Sequence, residues 1–301
     1  MAQGKVAKGL LLAAASGLLY GTITVLAKWV DAHPLAKATL SSLAATVAMS
    51  PFLRGLKVQR KDWPKVLAMA FFGGALAPAL ILFGLEEANA SDAGLLLTLE
   101  LVATAAFAFI FLRERVSARS ACGLAALLAA AVAVALASAG SGDAQHRTTW
   151  LGILLVGLSA LSWGIDNAVS AKLVGTYKPP QLIATKTLIA SVLVATAWGG
   201  VAFFQKAPAP SSGLGWLAVV AIGAVGVGGS SVLFYQALRN VGAARTSAVN
   251  VPTSALAAAA GGTWLLHEPF GWLHAVAVGL ILAGMALLWE NRDAKNGRPG
   301  A

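Results

Sequence analysis

One carboxylate, that of Glu100, stands alone in a long apolar run of the sequence. The run LLTLELVATAAFAFIF extends from Leu96 to Phe111 and holds no other charged residue. If the run crosses a bilayer, an ionised carboxylate that faces lipid would cost several kcal/mol, on the order of membrane-insertion penalties. We therefore expect Glu100 to face inward, protonated or paired, with Lys28 and Lys37 as the nearest candidate partners. It would contact a substrate amino group or carry a coupling proton, and the alternative is a structural hydrogen bond.

Two further stretches place polar and aromatic residues at helical spacing. Their separations of three and four residues put the members of each set on one helix face. Within a membrane, such a face lies toward the bundle interior or toward a cavity. The longer set comprises Ser159, Trp163, Asp166, Asn167 and Ser170. Its counterpart near the start of the chain comprises Ser16, Tyr20 and Thr24.

These two faces, brought together, would line an aromatic chamber that also holds a few hydrogen-bonding and charged groups. Such a lining suits a small amphiphilic metabolite, whose side chain packs on rings while its polar ends are hydrogen-bonded. The alternative is that the rings belong to the interfacial belt or to ordinary packing. The residues predicted to bind substrate are Tyr20, Thr24, Phe83, Glu100, Ser159, Trp163, Asn167, Tyr235 and Asn250.

An acid and a base from two different predicted helices complete the candidate residues. Helical rise places Asp166 roughly 12 Å and Lys186 roughly 9 Å from the same membrane face. Because charges inside membranes usually pair, we predict an ion pair between them. The alternative is a Lys186 that extends to the interface without a partner. Together with Glu100, these two residues are the candidates for charge pairing or ion coupling.

The composition indicates that lipid surrounds these residues. Of the 301 residues, 58% are hydrophobic and 11% are charged, whereas soluble domains carry about 25% charged residues. Apolar stretches recur from end to end, each near the roughly 20 residues that a membrane-spanning helix needs. The sequence therefore predicts an all-α polytopic membrane protein.

Other function classes lack their characteristic residues. The net charge of +10 is spread between apolar runs, which argues against a nucleic-acid-binding patch. A single cysteine, Cys122, excludes an intrachain disulfide, and the four histidines have no spacing suited to a shared metal. No phosphate-binding loop and no catalytic constellation is present. We expect no enzyme, no metal and no cofactor.

Apolar runs bounded by turn residues and charges predict ten spans. They cover approximately 9–30, 36–53, 65–85, 93–112, 118–137, 150–173, 180–204, 214–238, 246–266 and 272–289. Lys and Arg accumulate on the cytoplasmic side of membrane proteins. With both termini inside, most of the 22 Lys and Arg residues lie inside, whereas Lys28, Lys37, Arg147 and Lys206 lie outside. The charge bias predicts cytoplasmic termini.

The first half of the chain resembles the second. SGLLYGTITVLAKWV at 16–30 parallels SALSWGIDNAVSAKLV at 159–174, and KATLSSLAATVAM at 37–49 parallels KTLIASVLVATAW at 186–198. LFGLEEANASDAGLLLTLE then parallels FYQALRNVGAARTSAVNVP, and LRERVS parallels LHEPFG. The aligned pairs are Phe83 with Tyr235, Glu100 with Pro252, and Glu114 with Glu268.

Five spans per half is an odd number, so the two halves would cross the membrane in opposite directions. Such inverted repeats are a transporter architecture with the substrate held near the midplane. The predicted repeats cover residues 8–140 and 148–290, and a disordered cytoplasmic tail is predicted for 291–301. The alternative is two unrelated runs of Ala, Leu and Gly that look alike by composition.

The order of these motifs resembles the drug/metabolite transporter superfamily, EamA type, over residues 8–290. The motifs are an aromatic-Gly pair in the first helix of each half, a basic residue that opens the second, and Glu-Arg or Glu-Pro after the fourth. The sequence is similar in particular to bacterial aromatic-amino-acid exporters. One departure is that Glu100 stands where the family commonly has a proline like Pro252.

The resemblance implies a secondary transporter of a bacterial inner membrane that exports amino acids or similar small metabolites by alternating access. The expected partners are a small-molecule substrate and the lipid bilayer. The alternative is a receptor or scaffold that uses the same repeat without transport. A scaffold would need no two polar faces that meet at the midplane, and this feature favours the transporter.

Overall fold

The computed structural model describes residues 2–53, 58–112, 117–140, 148–174 and 176–290, which fold as an all-α protein. The helices are α1 (Ala2–Lys28), α2 (Pro34–Met49), α3 (Trp63–Met69), α4 (Ala77–Glu87), α5 (Ala90–Leu96), α6 (Leu99–Leu112), α7 (Ala118–Gly140), α8 (Trp150–Val174), α9 (Pro179–Phe204), α10 (Gly213–Val220), α11 (Ser230–Leu265) and α12 (Trp272–Glu290). The predicted all-helical class is confirmed. Glu114 and the predicted tail at 291–301 lie outside the described residues.

Seven stretches of the described chain are long and apolar enough to cross a membrane. They are Gly4–Lys28, Arg60–Glu87, Ala90–Phe107, Ala118–Ser138, Trp150–Ser170, Pro179–Phe204 and Gly213–Val241. Among the remaining predicted spans, α2 has 16 residues, and Trp272–Leu288 is likewise a shorter apolar helix. The chain is thus a multi-pass membrane protein, and the number of ten crossings stays a prediction.

The eighth and ninth predicted spans both lie within α11, and the residues that join them are assigned as helical. The α11 helix, 36 residues long, contains this junction. The Ser16 hydroxyl nevertheless donates to the Ser230 carbonyl at 2.8 Å and accepts from the Asn250 amide at 3.0 Å. Residues twenty apart in a straight helix are separated by about 30 Å. The chain therefore reverses direction between Ser230 and Asn250.

The predicted fourth span is two helices, not one. A turn at Leu97 and Thr98 separates α5 from α6. In this turn the Thr98 N–H donates to the Leu95 carbonyl at 3.2 Å and the Glu100 N–H donates to the Leu97 carbonyl at 3.0 Å. These hydrogen bonds between residues three apart end one helix and begin the next, so Glu100 lies in the first turn of α6.

Two π-helical segments occupy equivalent positions in the two halves. Ala70–Leu76 joins α3 to α4, and Ala221–Gly229 joins α10 to α11. The residue after each segment accepts a hydrogen bond of 2.8 Å, from Ser159 of α8 to Ala77 and from Ser16 of α1 to Ser230. Because π-helical turns are rare and frequently lie at functional sites, these segments direct attention to the middle of the helix assembly.

The aromatic-Gly pair of each half has the same packing role. The position of a side chain at Gly21, beside Tyr20, is filled by the Ser254 backbone of α11. The position at Gly164, beside Trp163, is filled by Ala103 of α6. Small residues let helix backbones approach closely in membranes. Each glycine therefore lets the helix that carries the aromatic residue pack tightly against a neighbouring helix.

Equivalent helices of the two halves run in opposite directions. Gly94 of α5 lies against Ala258 of α11, and Ser91 lies against Gly262 further along α11, so the two helices are antiparallel. Gly123 of α7 lies against Gly284 and Leu288 of α12, and Gly284 lies against Leu127, so these two helices are antiparallel as well. Opposite directions of equivalent helices are what an inverted repeat predicts.

Each end of the helix assembly has a contact between connections of different halves. At one end, called the His33 end below, the His33 N–H donates to the Pro208 carbonyl at 3.0 Å. At the other, called the Tyr177 end, the Tyr177 hydroxyl donates to Asp62 at 2.9 Å and accepts from the Gln59 N–H at 3.1 Å. In the predicted topology the His33 end faces outside.

Candidate functional site

A salt bridge lies about a third of the way along α8 and α9 from the Tyr177 end. The Lys186 ammonium donates to the Asp166 carboxylate, whose other oxygen accepts from the Ser170 hydroxyl at 3.1 Å. The Asp166 carboxylate occupies the space where a side chain of Gly73 would lie. A glycine in the first π-helical segment is therefore what admits this carboxylate between the helices.

Two aromatic rings from different halves meet beside this pair. The Tyr20 and Trp163 rings pack edge to face with centroids 5.9 Å apart. The Trp163 indole N–H donates to the Gly73 carbonyl at 3.1 Å, inside the π-helical segment. The indole is fixed by this bond, since a buried indole N–H needs an acceptor.

Glu100 is held by an amide and not by a lysine. The Asn167 side-chain amide donates to the Glu100 carboxylate at 2.7 Å and lies 3.3 Å from the Thr104 hydroxyl. Within the described part of the chain, no salt bridge involves Glu100. The expected partners lie elsewhere, because Lys28 donates to the Leu85 carbonyl and Lys37 pairs with a different carboxylate, at the His33 end. The prediction of a lysine partner is therefore wrong.

Six residues from four helices form one group, which we call the central cluster. Its members are Tyr20, Glu100, Trp163, Asp166, Asn167 and Lys186. The Tyr20 phenol is within electrostatic range of both the Glu100 and the Asp166 carboxylates. All but Asp166 are partly exposed. The cluster holds two aromatic rings, one cation and two carboxyl groups.

Three predicted binding residues instead bond to backbone. Thr24 donates to the Gly21 carbonyl of its own helix at 3.2 Å. Ser159 donates to the Ala77 carbonyl, and Asn250 donates to the Ala13 carbonyl and to a serine. Their polar atoms are thus used in helix packing, and the structure does not bring them into the central cluster.

Phe83 and Tyr235 lie on opposite sides of the central cluster. Phe83 is ten residues beyond Gly73 and so roughly 15 Å toward the His33 end. Tyr235 is five residues beyond Ser230, which contacts Ser16 one turn before Tyr20. This places Tyr235 roughly 13 Å toward the Tyr177 end. An inverted repeat requires this result, since equivalent residues must lie at opposite depths.

A buried polar group near the His33 end was not predicted from the sequence. The Asp92 carboxylate pairs with the His274 ring at 2.8 Å, and Glu268 accepts from the Ala90 and Ser91 N–H groups at 2.7 and 2.8 Å. The Glu268 carboxylate satisfies the first turn of α5, as anionic groups at helix N-termini do. The one sign of this buried polar group in the sequence was the alignment of Glu268 with Glu114. Among the described residues, no group of His, Cys, Asp and Glu could hold a metal ion.

Comparison with known proteins gives a family match over most of the chain. The model of the EamA-like transporter family matches residues 7–136 and again residues 150–289. A crystal structure of a protein that is 22% identical aligns with a TM-score of 0.67 and covers 97% of this chain and 99% of the other. That likeness concerns the fold alone. Among curated proteins, no match is found.

Proposed function

Because this chain belongs to the EamA-like transporter family, we propose that it is a secondary transporter that exports amino acids or similar small metabolites. Aromatic and other apolar amino acids are the preferred substrates in this proposal. Transport proceeds by alternating access around the central cluster. The proposed location is the bacterial inner membrane, with both termini in the cytoplasm and the His33 end outside.

The observation that carries the proposal is the charge and ring composition of the central cluster. A zwitterionic substrate brings one ammonium and one carboxylate into a site that offers both signs. The ammonium fits beside Glu100, and the substrate carboxylate fits beside Lys186. The Tyr20 and Trp163 rings supply the surface on which an apolar side chain packs.

The salt bridge explains how the empty site remains stable inside a membrane. An isolated buried charge costs several kcal/mol, whereas a paired one is compensated. Asp166 and Lys186 neutralise each other when no substrate is present. A zwitterion brings one charge of each sign, so its binding leaves the net charge of the central cluster unchanged. A substrate with one charge only would add a charge without compensation.

Purified protein in liposomes tests this proposal. Proteoliposomes are loaded with unlabelled amino acid, and entry of the labelled form by exchange is followed for phenylalanine, leucine, aspartate and arginine. Faster exchange of phenylalanine and leucine than in protein-free liposomes is expected. Weak exchange of the two charged amino acids is expected, because their side-chain charge has no further partner in the central cluster.

Absence of exchange for every amino acid would overturn the substrate assignment. If related metabolites without a zwitterionic group were exchanged instead, the protein would still be a transporter, but the proposal that it exports amino acids would be rejected. If the purified protein exchanged nothing, the receptor or scaffold alternative would be favoured. An inactive preparation is recognised by the loss of its cooperative thermal unfolding transition.

A further inference from the structure

The last turn of α4 is tied to two neighbouring helices by lysines. The Lys37 ammonium of α2 forms a salt bridge of 2.8 Å with Glu86, and Lys28 of α1 donates to the Leu85 carbonyl. The Lys37 side chain is only 7% exposed, whereas that of Glu86 is 49% exposed. Because one partner is almost buried, removal of the carboxylate would leave a lysine with little access to water.

Phe83, on the same turn, closes against the connection between α1 and α2. Its ring packs edge to face on the His33 ring with centroids 5.7 Å apart. His33 is itself fixed, since its ring accepts from the Leu35 N–H at 3.2 Å and its own N–H bonds to the Pro208 carbonyl. Phe83 and the two lysines therefore seal the His33 end around one turn of α4.

The equivalent turn at the Tyr177 end lacks these acidic residues. In the repeat alignment, Phe83 corresponds to Tyr235, and the following Leu85, Glu86 and Glu87 correspond to Ala237, Leu238 and Arg239. Tyr235 packs beside an apolar group formed by Met49, Ile183 and Ala184. The carboxylates of the first half are replaced by an apolar and a basic residue, so this turn holds no side-chain carboxylate for a lysine.

The lysine equivalent to Lys37 is also used differently. In the alignment Lys37 corresponds to Lys186, which bonds to Asp166 in the central cluster. The same position of the repeat therefore has two uses. In the first half its lysine bonds to α4 at the His33 end, and in the second half its lysine belongs to the central cluster. The two halves of the inverted repeat therefore differ at the His33 end, which has to open and close during alternating access.

From this asymmetry we propose that the Lys37–Glu86 salt bridge, with the Lys28 bond beside it, is a gate lock that keeps the His33 end closed in the resting transporter. Two equally stable turns would populate the two access states equally, whereas an ion pair on this turn, with no carboxylate on the equivalent turn of the second half, shifts the population toward closure of the His33 end. The inference rests on the proposed transporter function. For an exporter, the resting state then opens toward the cytoplasm, where substrate is loaded.

Cysteine accessibility tests the lock without any transport assay. The reporter is Ala79→Cys in a Cys122→Ala background, since Ala79 lies one turn before Phe83 on the same face of α4. Intact cells are treated with a membrane-impermeant maleimide from outside, with Ser211→Cys as the accessible reference. Glu86→Gln and Lys37→Met should each raise the labelling rate of this reporter about two- to fivefold, the size expected of one partly exposed ion pair.

The charge exchange Lys37→Glu with Glu86→Lys should restore slow labelling. Asp31→Asn is the matched control, because Asp31 is an exposed acid at the same end that bonds to Ser211 and not to α4. Unchanged labelling in both single variants would overturn the lock, and so would fast labelling that the exchange fails to restore. Either result leaves exchange by the unaltered protein in liposomes as a separate test of the transport proposal.

Discussion

The Lys186 ammonium of α9 lies against the Asp166 carboxylate of α8, about a third of the way along both helices from the Tyr177 end. The two side chains are 19% and 6% exposed, respectively, so neither charge is free to reach bulk water. The second carboxylate oxygen of Asp166 is used by Ser170. A charge pair this enclosed is costly to break on one side only, and the central cluster is organised around it.

Removal of one member of the pair should destabilise the protein more than removal of both. Asp166→Asn and Lys186→Met should each lower the free energy of unfolding by about 2 to 4 kcal/mol, because one charge is left uncompensated. The double variant should recover most of this loss but remain inactive in amino-acid exchange. Thermal unfolding of the purified variants, analysed as a double-mutant cycle, measures the coupling.

The Asp62–Lys65 pair provides the control for that cycle. Its lysine is 42% exposed, and such pairs contribute about 1 kcal/mol or less. Lys65→Met should therefore change stability little. Additive effects of Asp166→Asn and Lys186→Met, with no coupling, would contradict the account of a compensated pair.

Glu100→Gln should abolish exchange and preserve the fold. Glutamine keeps the carbonyl oxygen that accepts from Asn167, so packing is retained while the charge is removed. We expect at least a roughly tenfold loss of exchange rate, which corresponds to about 1.4 kcal/mol. The assay is run at acidic, neutral and mildly alkaline pH. Wild-type rates at all three would remove both functional roles of Glu100 and leave a structural hydrogen bond.

Two glycines of α8 offer a matched test of helix packing. At Gly164 an added methyl group would meet the side chain and backbone of Ala103, whereas at Gly157 nothing lies within 4 Å. Gly164→Ala should destabilise the protein by about 1 to 3 kcal/mol through overpacking. Gly157→Ala should be neutral or stabilising by up to about 1 kcal/mol. Equal unfolding temperatures for the two variants would contradict the close approach of α8 and α6.

Single cysteines test the predicted orientation. In a Cys122→Ala background, Ser211→Cys at the His33 end should react with an impermeant maleimide added to intact cells. Lys61→Cys near the Tyr177 end should react only after the membrane is permeabilised, because the excess of Lys and Arg predicts a cytoplasmic position. The opposite labelling pattern would reverse the topology, and an exporter would have to be described as an importer.

The sequence was informative where the membrane makes polar residues rare. Isolated charges such as Asp166 and Lys186 can be recognised because each one is costly in lipid, and helical rise places them at similar depths. The aromatic-Gly pairs at Tyr20 and Trp163 were equally visible, since they recur in order. These features led directly to the rings and the ion pair of the central cluster.

The partners of individual residues were less predictable. Lys28 and Lys37 share a membrane side with Glu100, yet both bond to the end of α4, because the turn at Leu97 moves Glu100 to the start of a new helix beside Asn167. Phe83 and Tyr235 are aligned in sequence, and it is the inversion of the repeat that separates them. Neither effect can be read from hydropathy or spacing.

The central claim is that the Trp163 ring belongs to a substrate site, and matched tryptophan variants test it most directly. Exchange of labelled phenylalanine is measured in proteoliposomes for the wild type, Trp163→Ala and Trp216→Ala. Trp216 is 44% exposed near the start of α10, where a belt residue is expected. Trp163→Ala should lose at least about nine-tenths of the exchange rate, and Trp216→Ala less than about half. Equal loss in two variants that both unfold cooperatively would contradict the claim.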